Sequence, residues 1–474
     1  MIPQINTKAA YDLFHEGTLA LAKAERQGIC FDEKYATEEH AKLTKRIEKL
    51  ERLIKKSKFY KEWQYSSKTE VNINSDTQLA NFLYNVKGCT PTSKTKTGKG
   101  ATNEDALSGL KIKEVDYILK MRKLKKIRDT YLGSFMRENN NGVIHPYFNL
   151  NLVSTYRSSS ANPNFQNIPK RDKKAMEITR RCLIPRPGHQ LAELDFSQLE
   201  VMIAACYHLD PTMLKYLTTG KDMHADIAKQ VFFLGKFDKT NPAHSYLRKA
   251  AKNGFVFPQF YGDYFKPCAV NMGHKWGKLP MGIFKPNQGV EFDGNGHLSD
   301  HLMRNGINSM DDFISHIRKI EKHFWNKRFP VYRDWKEQQW ERYQKLGYLD
   351  SLTGFRYTNP SKSTGSTLGK NDAINYPVQG SAFHCLLWCF TRLSNLLEEG
   401  GFRSALVGQI HDAIVLDIHP EELEEVMGMA RRVMTHELPN AFKWIIVPLR
   451  IEADLGPVDG SWASLKPYNF LLAS

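Results

Sequence analysis

Apolar positions along this chain change their period several times, and each change marks an element. From Glu38 to Gln64, Leu43, Ile47, Leu50 and Ile54 recur at helical spacing in an otherwise charged stretch, which predicts one amphipathic rod. A second basic helix is predicted over Glu114 to Tyr131, and the polar, lysine-bearing stretch TPTSKTKTGKGATNEDAL lies between the two as a loop. Beyond Gly142 the texture turns to short strands. From about Asp210 to Gln344 it is helical, with a Gly/Pro-rich interval, GHKWGKLPMGIFKPNQGVEFDGNGHLS, and after Gly347 strands return. That order predicts an α+β chain in which a single sheet is interrupted by a helical segment. No internal repeat or low-complexity tract is present.

Two distant stretches place an aspartate where an apolar strand stops. In LAELDFSQLE, Leu191 and Leu194 read as a buried strand, while Leu199, Met202, Ile203 and Cys206 follow at helical spacing, so Asp195 falls at a strand-to-helix corner. In GQIHDAIVLDI, apolar runs either side of His411 and Asp412 suit a tight hairpin with that pair at its tip. If the sheet sets these strands side by side, the carboxylates meet. They would repel each other, and hard divalent cations relieve such repulsion. Two such ions can steady the attacking and leaving oxygens of a phosphoryl transfer. The plain alternative is that Asp195 caps the helix beginning near Ser197 and Asp412 makes an Asx turn.

Composition sharpens the choice of partner. A net charge of +16 and a pI near 9.3 point to a polyanion, either nucleic acid or an acidic membrane surface. The two basic helices and their loop suit a clamp on a phosphate backbone, with a solvated helical hairpin as the alternative. With 474 residues the chain has room for about three domains. No apolar run approaches a membrane span and MIPQINTKAAYDLF lacks a secretion signal, so a cytoplasmic location is expected. Seven cysteines without a CxxC pair and sixteen histidines without HExxH spacing indicate neither a disulfide framework nor a zinc site.

Taken together, STYRSSSANPNFQNIPKR, DFSQLE, LRKAAKNGFVFPQFYG, NYPVQGSAF and QIHD resemble, in order and spacing, the signature motifs of family A DNA polymerases, the family of bacterial DNA polymerase I. The resemblance runs from about Glu25 to Trp462. It implies a right-hand fold whose palm is an antiparallel sheet: an N-terminal segment over 1–35, a thumb over 36–135, a palm in two parts over 136–209 and 345–474, and fingers over 210–344. It also implies extension of primer-template DNA with dNTPs, assisted by two Mg2+ ions with Mn2+ as a substitute. Family members often carry a proofreading domain ahead of the polymerase. Here the thumb pattern starts almost at once, which resembles a bacteriophage-type enzyme lacking the 3′–5′ exonuclease domain. Such an enzyme works in the host cytoplasm, with a separate exonuclease or processivity factor as its partner and no membrane.

Residue by residue, the resemblance implies that Asp195 and Asp412 hold the metals, with Ala413 standing where many members have a third carboxylate. Arg248 and Lys252, four apart on one helix face, both reach the triphosphate, and Lys252 joins the catalytic set. His224 and Gln198 match further dNTP-binding positions. Phe257 and Tyr261 match the family's stacking aromatics with one residue inserted after Lys252; a π-bulge would absorb that residue, and Pro258 favours a disrupted helix there. Glu200 would crowd the ribose 2′-hydroxyl, which separates this reading from a single-subunit RNA polymerase. Arg157, Asn375 and Gln379 match residues on the new duplex, where minor-groove acceptors are common to every correct pair. His411 would hold the primer terminus. Asn371 replaces a duplex-contacting arginine of many relatives.

Each assignment has an ordinary competitor. Arg248 and Lys252 could be a solvated face, His224 structural, Glu200 an exposed helix residue, and the aromatics a core stripe with Phe255 and Phe260. Pro377 and Gly380 favour loop hydrogen bonding for Asn375 and Gln379. The stretch from Gly262 to Phe324, including an extension over 263–323, exceeds the family pattern by roughly two dozen residues and is expected to contact template or a partner. A different class, a silent DNA-binding clamp, would keep the basic surfaces while losing the aspartates or the phosphate cations.

Overall fold

The structure, a computed structural model, describes residues 3–91, 93–95, 97–170, 172–292, 296–358 and 368–470. Thr92 and Lys96 of the predicted loop, Arg171 of the first motif and residues 293–295 of the extension lie outside them. An antiparallel sheet organises the chain. Across it run Lys466–Pro467, Ile451–Leu455, Gln190–Phe196, Ala413–Ile418 and Ala405–Ile410. The two strands carrying the aspartates are therefore direct neighbours, although more than 200 residues separate them in sequence. Leu191, Leu194, Ile414, Val415 and Leu416 are wholly buried, and strand alternation puts Glu193 and Asp195 on one face with Ala192 and Leu194 on the other.

Strands do return after Gly347, but a long helix stands among them. Short pairs at Tyr348–Asp350 and Arg356–Thr358 precede a 30-residue helix, Lys370–Glu399, which packs against the hairpin. The loop alternative that Pro377 and Gly380 favoured is not realised, since both lie within this helix. Pro377 leaves one carbonyl without its intrahelical donor, but the helix is anchored there by Tyr207, whose hydroxyl donates to Pro377 O at 3.1 Å. Gly380 serves close packing, because a Cβ would lie 1.8 Å from the Tyr357 hydroxyl and 2.6 Å from Thr155 O. The first helix, Thr7–Gln27, lies against Lys370–Glu399 and the Ala405–Ile410 strand.

The single rod expected over Glu38 to Gln64 is two helices, Glu33–Lys56 and Lys58–Ser66. Ser57 breaks it. Its backbone is extended, with ψ 157°, while its hydroxyl donates to Ile54 O at 2.7 Å and accepts from the Tyr60 N–H at 3.1 Å, capping both helices. Leu43, Ile47 and Ile54 are buried towards Val115, Ile118 and Met121 of the Lys113–Lys125 helix, which continues through a π turn at Lys126–Leu132 to Gly133–Glu138.

Between the two halves of the sheet the chain is helical. Met223–Phe232 and Pro242–Ala251 lead into a π turn at Lys252–Val256 and a short helix at Phe257–Phe260. The extension beyond them is folded: helices Phe265–Val270, Leu298–Arg304 and Met310–His323 bury Met272, Leu298, Leu302, Met310 and Phe313. From it Lys275 reaches back to Asp105, Nζ to Oδ2 2.8 Å, joining two units 170 residues apart. Among the described residues no helix is long and apolar enough to cross a membrane.

Candidate active site

Asp195 ends its strand one residue before Phe196 and pairs across the sheet with Ala413 and Glu452. The Phe196 N–H donates to Asp412 O at 3.2 Å, so the two aspartates are joined through the backbone. Asp412 follows His411, whose φ of 49° makes the hairpin turn possible. Gln409 fixes this turn, donating to His411 O while accepting from Ser158 and Gln166, both at 2.7 Å. Burial, reinforced by Glu200 and Asp195 and opposed by Arg157, pushes the Asp412 carboxyl up to about 7. Its Oδ1 is buried without a hydrogen-bond partner, and Arg157 Nη2 stands 4.0 Å away. Burial also raises Asp195, against which Lys170 acts from 3.1 Å.

Those two observations test the implied metal. A buried carboxylate oxygen with no donor, one strand from a second raised carboxylate, is the donor set a hard cation satisfies. Among the described residues no group of three or more His, Cys, Asp or Glu side chains is placed to hold an ion. A hard cation held by one or two carboxylates completes its shell with water and other oxygens.

Glu200, at the start of the Leu199–His208 helix, is held from both sides. Arg157 Nη1 donates to its Oε1 at 3.0 Å and the Tyr261 hydroxyl donates to its Oε2. Burial and Glu200 keep the Tyr261 phenol well above its ordinary range. Glu200, Phe257, Tyr261, Asn375 and Gln379 line one pocket. The predicted bulge is present: the Phe257 N–H bonds to Lys252 O, five residues back, and the Lys252 ammonium lies 5.2 Å from the Phe257 ring. Phe255 and Phe260 are core residues, at 0% and 6% exposure.

A second pocket gathers Gln198, His224 and Arg248 with Lys221, Lys239 and Arg450. Arg248 Nε donates to Asp222 Oδ2 at 2.6 Å. His224 is buried, both ring nitrogens lack partners, and burial together with Lys252 and Arg248 holds it down to about 4. Asn375 and Gln379 sit on the Lys370–Glu399 helix, and Asn375 Nδ2 donates to Tyr261 O at 3.3 Å. Asn371 Nδ2 lies 3.5 Å from Gly262 O.

Nothing in the sequence singles out Lys170, Lys239 or Arg450 among so many basic residues. Glu193 had a signal: an acid inside an apolar strand, two residues from Asp195 and hence on the same face.

The sequence pattern of DNA polymerase family A matches residues 33–272 and 318–463, leaving 273–317 of the extension unmatched. The thermostable DNA polymerase I of Thermus aquaticus is 29% identical over 405 residues, covering 83% of this chain and 42% of that protein. DNA polymerase I of Geobacillus stearothermophilus is 26% identical over 454 residues, or 94% of this chain and 45% of its own length. The chain thus spans less than half the length of these curated relatives. A solved structure described as the POL domain of Pol1 from M. smegmatis, in complex with DNA primer-template and dNTP, superposes with a TM-score of 0.73 at 22% identity over 95% of this chain and 70% of that one. With the fold, the paired strand-end aspartates and a family match over most of its length in agreement, the chain belongs to DNA polymerase family A.

Proposed function

We propose that this chain is a DNA-templated DNA polymerase that adds dNTPs to a primer 3′-hydroxyl. The observation that carries the reading is the register of the Gln190–Phe196 and Ala413–Ile418 strands, which sets Asp195 beside the Asp412 turn, within reach of Glu200 and Arg157. The M. smegmatis relative's complex with primer-template and dNTP points to the same partners. In this reading the helical unit over 36–135 is the thumb, 136–209 and 345–474 the palm, and 210–344 the fingers.

Asp195 and Asp412 would hold Mg2+, or Mn2+ in its place, and the bound ions supply charge neutralisation at the attacking and leaving oxygens. The remaining work falls to side chains. Arg248 and Lys252 receive the triphosphate, with Gln198 and His224 beside them, Arg248 offering its terminal guanidinium nitrogens while its Nε holds Asp222. Tyr261 and Phe257 pack against the incoming sugar and base, and Glu200 closes the space beneath a 2′-hydroxyl. Arg157, Asn375 and Gln379 face the duplex and His411 the primer end.

Extension of a primed template with Mg2+ and dNTPs, compared between the parent and Asp412→Asn, tests the reading. Extension by both proteins, or by neither, would discard it. The same template ending in a 3′ mismatch scores trimming, and retention of the mismatch is expected. Offering rNTPs separates the DNA from the RNA polymerase reading.

A further inference from the structure

The sheet face that carries Asp195 also carries Glu193, and the two carboxylates share one cation. Lys170 Nζ donates to Glu193 Oε1 at 2.9 Å and to Asp195 Oδ2 at 3.1 Å. The partners are unequal. Glu193 is 3% exposed, and its other oxygen accepts from Arg180 Nη1 at 2.7 Å and from Trp462 Nε1 at 2.9 Å. The Arg180 guanidinium in turn lies 4.3 Å from the Trp462 ring. Glu193 is therefore a built anchor, satisfied whether or not Lys170 also reaches further. Asp195 is more open, and among the described residues Lys170 is the one side chain that hydrogen-bonds its carboxylate.

A lysine ammonium has three donors on a flexible stem, so it can release one carboxylate while keeping another. More than half of the Lys170 side chain is exposed. Two acids, Glu193 and Asp195, share two bases, Lys170 and Arg180, and the neighbouring carboxylates of Glu452 and Asp454 add negative charge beside them. A divalent cation arriving at Asp195 meets a like charge already on that carboxylate.

We propose that Lys170 is a resident counter-ion of Asp195: it covers the carboxylate while no divalent cation is bound, retreats to Glu193 when one arrives, and thereby sets the cation concentration at which the site fills. The inference rests on the reading that Asp195 holds the cation. Lys170 is a positioning residue in this scheme, acting through Asp195, and it touches neither primer nor nucleotide.

The test is direct binding of Mn2+ to the metal-free protein, read from the EPR signal of the free ion. The parent is compared with Lys170→Met, Lys170→Arg and Asp195→Asn. Removing the competing charge should tighten Mn2+ binding on the order of fivefold, the scale of a partly exposed ion pair. Lys170→Arg should bind much as the parent does, and Asp195→Asn more weakly. Unchanged or weaker binding in Lys170→Met, with Asp195→Asn still lowering affinity, would reduce Lys170 to a tether of its loop and end the inference alone. Parent binding indifferent to Asp195→Asn would remove the premise as well. Should Lys170→Met fail to fold, Lys170→Gln keeps a donor for Glu193 without the charge and carries the same expectation.

Discussion

Asp412 sits in the cleft with Oδ1 unpartnered and its carboxyl pushed up to about 7, chiefly by burial, then by Glu200 and Asp195. Its folded value lies above the unfolded value of 3.8, so the folded chain binds this proton more tightly. The group's contribution to stability is then lost as pH rises through that window and stays lost above it. Asp412→Asn should stabilise the metal-free protein by about 1–3 kcal/mol at about pH 8, with the gain vanishing near pH 4. Thermal unfolding against pH checks it. Primer extension by the same variant should fall by about 100-fold or more, the scale of a single electrostatic group at a reaction centre. At Glu200, alanine removes the acceptor for both Arg157 and Tyr261. Discrimination between dNTP and rNTP should drop on the order of 10- to 200-fold, measured as a ratio of kcat/KM values. The two aspartates were legible as a pair, through their strand-end placement together with the ordered motifs, although capping and turn roles are common for either alone. Lys170 was not, because its pairing with Glu193 and Asp195 exists only once folding brings their strand beside it.

Elements were legible where period alone decides them and illegible where one residue overrides it. Ser57 ends a rod that apolar spacing would continue, and Gly380 sits mid-helix for a packing reason that only Tyr357 reveals. The inserted residue after Lys252 was readable from the one-residue offset of Phe257 and Tyr261 against the family motif, and Pro258 favoured a disrupted helix, since it needs a place where its missing N–H is not called on. The π turn supplies it, setting Pro258 in the first turn of the next short helix. Deleting Asn253 alone should force Pro258 into a regular helix and cost about 3 kcal/mol. Adding Pro258→Ala should restore most of that and keep extension within about tenfold of the parent, since Phe257 and Tyr261 return to the Lys252 face. Chemical denaturation and primer extension on the two variants check this. On the Pro330–Leu346 helix, burial drives the Lys336 ammonium down to about 7, although it lies 3.5 Å from the Trp325 ring and 3.4 Å from Gln259 O. The folded value is below the unfolded one, so the unfolded chain holds more protons between about 7 and about 10.5, and stability from this group rises with pH across that window. Lys336→Met should therefore raise the unfolding midpoint at about pH 6 and lose the advantage near pH 10.

At the scale of the whole molecule, charge is unevenly placed. Residues 33–138 hold 24 lysines and arginines against 14 acidic residues, most of the net +16 of the chain. Affinity for primer-template should fall linearly with log salt, and Lys94→Ala with Lys99→Ala should reduce that slope by about 2 if both meet phosphates. Filter binding over a salt series measures it. The alternation of strand-rich and helical texture foretold the interrupted sheet, because distant strands must pair wherever each buries both faces. It could not foretell that the extension after Gly262 packs into the same hydrophobic core as the helices before it, nor where its far side would land. It lands on Asp105. An arm rooted before the sheet and an arm rooted between its halves thus shake hands at Lys275. That handclasp is a solvent-washed ion pair worth about 1 kcal/mol at most, so it should loosen as ionic strength grows and leave the two arms freer to part.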